Sequence, residues 1–404
     1  MRSAIHFLAV GLLMLPVAAQ QGTLEGRAIV LTTGEHVGEH VPVALSFEGV
    51  PPAKSVTVQE PATGRSFPVT IRNSELVFVS EGLTPNTQHH YVIAAKDGDA
   101  LPVVTVKKVE DADALEVLIG DEHFTTFHYS KENKKPFLWP VHAEGGVAVT
   151  RDWPMGPKVI TEDHPHQKSC WTAYGDVNGA DCWTEGSRSG FQVVEQVESG
   201  SGDAYGWIAS KNTWLDNARQ PVVTEEREYR FYATPAKARI FDVAVTFTAN
   251  HGDALFKDTK EGGLIAVRMR DELTERFGQG VITNAAGGVG MAQCWGKPSP
   301  WCDYTGSLDG FGLRGVALFD HPSNLRHPTH WHVRDYGLMG ANCFGYSDFT
   351  RGDPEPRNGD YTLKSGEKIT FRYRVYVHSG NAEDARVADR YADFATPPRA
   401  RLGP

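Results

Sequence analysis

Polar and apolar residues alternate most regularly in two stretches. Residues 239–247 read Arg-Ile-Phe-Asp-Val-Ala-Val-Thr-Phe, and residues 369–377 read Ile-Thr-Phe-Arg-Tyr-Arg-Val-Tyr-Val. A period near two puts every second side chain on one face, which predicts strands with one buried side. Shorter apolar runs at 27–31, 41–45, 67–71 and 90–94 are separated by turn residues at sandwich-like spacing. Residues 145–151, after a glycine turn, predict one more short strand, and 264–268 another. Only 382–394 has helical spacing, with Ala382, Ala385, Val387, Ala388 and Tyr391 near one face. Many strands and one terminal helix predict an all-β protein.

Composition then divides the chain. All nine tryptophans lie between Trp139 and Trp331, which predicts a boundary before residue 139. A length of 404 residues also suits two domains. Residues 82–91, Gly-Leu-Thr-Pro-Asn-Thr-Gln-His-His-Tyr, resemble the corner before a late strand of fibronectin type III domains. There a Leu plugs the core and a Tyr braces the turn. We therefore expect an immunoglobulin/fibronectin-like sandwich over 22–110, serving as a spacer or packing module. A larger β-supersandwich is expected over 113–398. Hydrophobic residues at 40% exclude global disorder. Forty Lys and Arg against 50 Asp and Glu give a net charge of −10, which excludes a nucleic-acid-binding protein.

The amino end predicts export. Arg2 precedes an apolar run over 7–17, and Val17 and Ala19 stand three and one residues before a cut at Gln20. Residues 1–19 thus read as a signal peptide, and no later stretch reaches the ~18 apolar residues of a membrane span. The expected location is secreted or periplasmic. Disulfides are then permitted. The cysteines are Cys170, Cys182, Cys294, Cys302 and Cys343, an odd count without a CxxC. Cys170 with Cys182 and Cys294 with Cys302 are the near pairings, though spacing alone does not fix connectivity. Buried thiols with at most one bridge are expected ahead of a catalytic thiol.

Two segments concentrate chemistry. The first runs Glu162-Asp163-His164-Pro165-His166-Gln167-Lys168 to Trp171, then through Asn178 to Trp183. His164 and His166 are two apart and share a face if extended. They could bind a metal, or one could move protons near neutral pH. The second segment holds His321, His327, His330 and His332 within twelve residues. Arg334 would continue the face of His330 and His332, while Asp335 would point away unless the strand bends. Residues 258–262 add Lys260 and Glu261, and 301–306 add Trp301 and Asp303. Each piece alone reads as an ordinary turn, edge strand or core residue. Together, flat rings beside His, Arg, Asn and carboxylates suit a sugar, rings covering C–H faces and polar groups taking hydroxyls.

These ordered motifs, Asp163-His164-Pro165-His166, 175–183, 258–262, 301–306, 320–324 and 331–337, resemble the PmoA-like family of exported bacterial proteins. The resemblance covers about residues 113–380 and leaves out the amino-terminal domain. The family carries the label "methane oxygenase PmoA", the name of a membrane subunit, whereas this chain shows no span beyond its leader. The resemblance implies company with polysaccharide-degrading enzymes. Relatives commonly show His-Pro-His-His-Arg, where this chain has Gln167 and Lys168 after His166. Lys168 keeps the charge but not the bidentate geometry of Arg.

The expectation is a secreted carbohydrate-active protein on a galactose-mutarotase-like supersandwich, acting on a sugar or glycoside as a lyase, hydrolase or epimerase. His166 and His332 would be acid and base. Arg334, Lys260 or Lys168 would stabilise developing charge on oxygen. Glu261, Asp303 and Asp335 are the available carboxylates. Trp171, Trp183 and Trp301 would stack on the sugar, with His164, Asn178, His327 and His330 beside it. The rivals are a non-catalytic glycan-binding protein and a metal-dependent oxidoreductase holding a divalent ion on the two His-x-His pairs. All of this requires the two His clusters to lie within about 10 Å of one another.

Overall fold

The structure is a computed structural model that describes residues 24–35, 38–48, 56–96, 103–355 and 357–403. The expected signal peptide, 1–19, lies outside the described residues. The chain is all-β, built from large antiparallel sheets.

The first six strands are β1 (Ala28–Thr32), β2 (Val41–Ser46), β3 (Val56–Glu60), β4 (Arg65–Arg72), β5 (Glu75–Ser80) and β6 (Gln88–Ala95). They form a sandwich in the order β2-β5-β4-β3-β6-β1 around Ile29, Leu31, Val43, Phe67, Phe78 and Tyr91. Tyr91, the expected corner tyrosine, bonds through its hydroxyl to Ser80 Oγ at 2.9 Å.

A second sheet begins with β7 (Val104–Lys108), β8 (Ala114–Ile119), β9 (Glu122–His128), β10 (Phe137–Val141) and β11 (Cys170–Tyr174). The third begins with the long β12 (Phe191–Gly200), β13 (Tyr205–Leu215), β14 (Pro221–Tyr232) and β15 (Ala238–Thr248). Then come β16 (Ala254–Phe256), β17 (Gly262–Arg268), β18 (Val281–Asn284), α1 (Met291–Cys294), β19 (Trp301–Leu308) and β20 (Gly312–Asp320). The chain finishes with β21 (His330–Val333), β22 (Leu338–Asn342), α2 (Tyr346–Phe349), β23 (Tyr361–Leu363), β24 (Lys368–Ser379), α3 (Val387–Ala395) and β25 (Arg399–Leu402). The second sheet has the order β21-β22-β17-β11-β10-β9-β8-β7, and the third β12-β13-β14-β15-β24-β20-β19-β18.

The second and third sheets pack face to face. Phe241, Val243, Val245 and Phe247 of β15 and Phe371, Tyr373, Val375 and Val377 of β24 fill the shared core with Phe127, Leu138 and Val267. Their alternation is the one read from the sequence. β11 and β17 show none, because every residue in both is buried. A strand covered on both faces has no solvent side to mark with polar residues. That second cover is what creates the site below.

Several expected boundaries are corrected. Residues 104–108, assigned to the first domain, pair with β8 and are the edge of the second sheet. β25, near the chain's end, pairs with β1 and completes the first sandwich. Residues 145–151 make only isolated bridges at Ala148 and Thr150, because two consecutive glycines with positive φ keep the chain turning. The terminal helix starts at Val387 rather than 382, after Arg386 in left-handed conformation. All five cysteines are free and buried, so neither near pairing is bridged. Burial pushes the Cys294 thiol up to about 11 and that of Cys170 up to about 12. Among the described residues no helix is long and apolar enough to cross a membrane.

The domains are locked together. Thr70 Oγ1 accepts from the Ala204 amide at 2.9 Å. Arg72 pairs with Glu228 at 2.8 Å and stacks over Trp207 at 3.7 Å. Asp393 of α3 accepts from the Gly38 amide at 2.7 Å.

Candidate functional site

β11 points Cys170 and Tyr174 into the sandwich and Trp171 and Ala173 outward. The outward pair joins Phe137, Ala266 and Leu338 in a patch on the outer face of the second sheet. Trp183, from the loop after β11, closes over it with its ring centre 5.5 Å from that of Trp171. The loop carrying His164 and His166 lies on the same face, held by two arginines. Arg151 and Arg268 share Asp163 Oδ1 at 2.7 and 2.8 Å. Arg268 also donates to Gln167 Oε1 at 2.5 Å, and Arg151 to the His164 carbonyl at 3.1 Å. His164 has a positive φ of 48° and stacks on Tyr336 at 4.9 Å.

Both histidine clusters meet at Trp183. The His166 ring lies 6.0 Å from the indole, and His332 stacks on it at 6.3 Å. His330 and His332 share a face of β21, since both rings contact Phe349, at 5.8 and 6.3 Å. Around them stand three cation–carboxylate groupings. Glu185 is shared by Lys135 at 3.0 Å and Lys168 at 2.9 Å. Lys260 pairs with Glu261 at 2.8 Å. Asp163 serves Arg151 and Arg268 as above. Arg334 stacks on Trp295 at 5.4 Å, and among the described residues its guanidinium makes no ion pair or hydrogen bond.

The electrostatics keep the imidazoles neutral. Burial, then Arg334 and Lys260, push His332 down to about 3. Burial, then Lys135 and His164, push His166 down to about 4. Burial and Arg357 hold His330 at about 4. Burial raises the Glu185 carboxyl, but Lys135 and Lys168 outweigh it and keep it below its ordinary value. Desolvation disfavours charge on an imidazole, and neighbouring cations add to that penalty.

Several buried polar atoms here have no partner: Nε1 of Trp171, Trp183 and Trp295, Nδ1 of His330 and His332, and Nε of Arg334. Buried donors and acceptors are normally satisfied, so a group of exceptions calls for an explanation. The backbone of Lys260 lies against the His332 ring, whose Nδ1 is buried and has no hydrogen-bond partner.

The expected site residues divide into two groups. His164, His166, Lys168, Trp171, Trp183, Lys260, Glu261, His330, His332 and Arg334 lie on or beside this face. The rest are engaged elsewhere. Asp303 is buried on the third sheet, 2.7 Å from His378 Nε2, and also accepts from Thr305. That contact needs Gly315 between them, where a Cβ would sit 2.4 Å from Thr305 Oγ1 and 2.5 Å from His378. Trp301 packs near Phe319 and Tyr376. His327 is held by Asp320 at 2.8 Å. Asn178 uses both ends of its amide on Asp253 O and the Leu255 amide, as a turn brace. Asp335 pairs with Arg276 at 3.0 Å. Trp171 and Trp183 have no exposed ring face, so the expected stacking role does not fit them; Trp139, Trp153 and Tyr336 are half-buried.

Sequence reasoning missed Lys135, Glu185, Arg268 and Tyr336. Their only local signal is a polar residue inside an apolar or aromatic run, as at Arg268 after Leu264-Ile265-Ala266-Val267. Among the described residues no three His, Cys, Asp or Glu side chains converge to hold a metal ion. A separate groove of ≈ 830 Å³ lies on the outer face of the third sheet, lined by Glu226, Glu228, Arg230, Asp242, Thr246 and Arg372 among others. None of the expected site residues lines it.

Residues 114–392 match a family described as a family of unknown function, DUF6807, and the chain belongs to that family. The match spans the third sheet and the second from β8 onward, and leaves out β7 and the first sandwich. No curated protein matches the chain.

Proposed function

We propose that this member of a family of unknown function is an exported, carbohydrate-active protein whose site is the His166–Trp183–His332 face. The observation that carries this reading is the buried, unpartnered Nδ1 of His332 beside unpartnered indole N–H groups and the free Arg334 guanidinium. A polyhydroxylated ring is the ligand class that answers closely spaced donors and acceptors between flat side chains. The paired sheets agree with a mutarotase-like supersandwich, and the first sandwich with an immunoglobulin-like packing module. The resemblance to the PmoA-like family belongs to the same reading.

In this reading His332 works from its neutral form. Nδ1 takes a proton from the sugar, while Lys260 and Arg334 stabilise charge on the oxygen left behind. His166 reaches the ligand from the other edge of Trp183. The test is an NMR time course of the purified chain against neutral, keto and acidic glycosides. Turnover that disappears in His332→Ala and His166→Ala supports the enzyme. Line broadening without turnover supports a binding protein. One observation favours that second reading. His166 and His332 are both pushed down, whereas an acid–base pair needs values driven apart.

A further inference from the structure

The lining of this face is lopsided, in a way that narrows the ligand. Six cations, Lys135, Lys168, Lys260, Arg151, Arg268 and Arg334, surround three carboxylates, Glu185, Glu261 and Asp163, in a chain whose net charge is −10. The other carboxylate within electrostatic reach of His332, Asp348, is taken by Arg351 at 2.8 Å. Each of the three site carboxylates already accepts from a Lys or Arg. The unpartnered nitrogens of Trp171, Trp183, Trp295 and Arg334 are all donors. Trp171 and Trp183 are fully buried, so the donors a ligand can meet on this face are the part-buried Arg334 and Lys260.

A neutral sugar hydroxyl brings a proton that needs an acceptor, and this face has few to spare. A carboxylate or a sulfate ester only accepts. We infer that the ligand is a sugar bearing a fixed oxyanion, a uronate carboxylate or a sulfate ester, with that group held between Arg334 and Lys260 beside His332. The inference rests on the sugar reading above and adds the charge. Arg334 is the pivotal group because its guanidinium is half-buried, stacked and otherwise uncommitted. The remaining sugar hydroxyls meet the unpartnered Nδ1 atoms of His330 and His332.

The experiment is a calorimetric titration of the purified full chain with methyl glucuronide, methyl glucoside, glucose 6-sulfate and inorganic sulfate, at low and high salt. The expected result is glucuronide or sugar sulfate binding at least about tenfold tighter than the glucoside, with the advantage shrinking as salt rises. Whichever of the two binds identifies the oxyanion. Arg334→Gln should abolish the preference, bringing glucuronide or sugar-sulfate affinity down to that of the glucoside measured in the same variant. Lys260→Met carries the same test if Arg334→Gln melts early. Equal affinity for glucoside and glucuronide, with no sulfate preference, overturns this inference and leaves the sugar reading standing. Binding of inorganic sulfate with no sugar bound overturns both.

Discussion

Two buried polar networks lie on opposite faces of the second sheet, and they are built on opposite terms. Inside the sandwich, Glu225 and Arg227 are fully buried and paired. Glu225 Oε2 also accepts from Trp214 Nε1 at 2.6 Å, and Arg227 reaches Tyr229 and Gln192. Glu225, Arg227, Gln192 and Trp214 leave no polar side-chain atom without a partner, although Asn212 and Ser210, across from Glu225 and Arg227 on β13, do. Outside, Trp171, Trp183, His332 and Arg334 are just as polar and mostly as buried, yet each leaves an atom open. Burial of polar groups therefore does not mark a site in this protein. A satisfied network specifies packing, and an open one calls for an explanation of its own.

The comparison breaks most sharply at Glu225. Glu225→Ala strands the Arg227 charge in the core and should cost about 4 kcal/mol of stability, read by denaturant unfolding. A loss under 1 kcal/mol would mean that the inner network does not hold the fold. His332→Ala should do the reverse. Folding stability should change by no more than about 1 kcal/mol, while turnover or sugar binding falls about 100-fold. Unchanged ligand chemistry in that variant would remove the site from this face.

The tryptophans sharpen the point. Trp214→Phe removes the donor to Glu225 and should cost about 2 kcal/mol. Trp295→Phe removes an unpartnered N–H and should stay within about 1 kcal/mol in a thermal melt. Equal losses would show that the open atoms are not open. The same face also answers to pH. His332, His330 and His166 bind protons at about 3, about 4 and about 4 when folded, against 6.5 ordinarily. Between about pH 6.5 and 4 the unfolded chain therefore holds more protons, and stability falls as pH drops. Each histidine should contribute up to about 1.4 kcal/mol per pH unit across that window, and His332→Gln should flatten the slope of unfolding free energy against pH.

What could be read from the chain follows from sequence distance. The strands with one dry face, β15 and β24, announce themselves by alternation. The His-x-His pairs are local: β21 is extended and puts His330 and His332 on one side, whereas His164 and His166 come together at 5.8 Å through a turn with His164 at positive φ. Glu185 and Lys135 find each other across 50 residues, through a loop that only the fold brings over β10. Asp303 sat in the richest-looking aromatic segment, but β19, β20 and β24 set it beside His378, 75 residues on. Nothing near Asp303 in the sequence separates a carboxylate claimed by the core from one left for a ligand. Strand membership failed for the same reason at β7 and β25, where neighbours in space are strangers in sequence.

The pairing of β25 with β1 also has a mechanical meaning. Ile29 lies across from Leu402 and Thr32 across from Arg399, so the first and last strands of the fold are clasped side by side and run in opposite directions. The described chain is a closed ring with both ends leaving from one edge. Tension on the ends would not shear this ladder as a whole. It would peel it from the Leu402 end, one pair at a time, which is the direction in which a hydrogen-bonded ladder resists least. The first sandwich would lose its edge while the two large sheets, and the face that carries His166 and His332, felt no load.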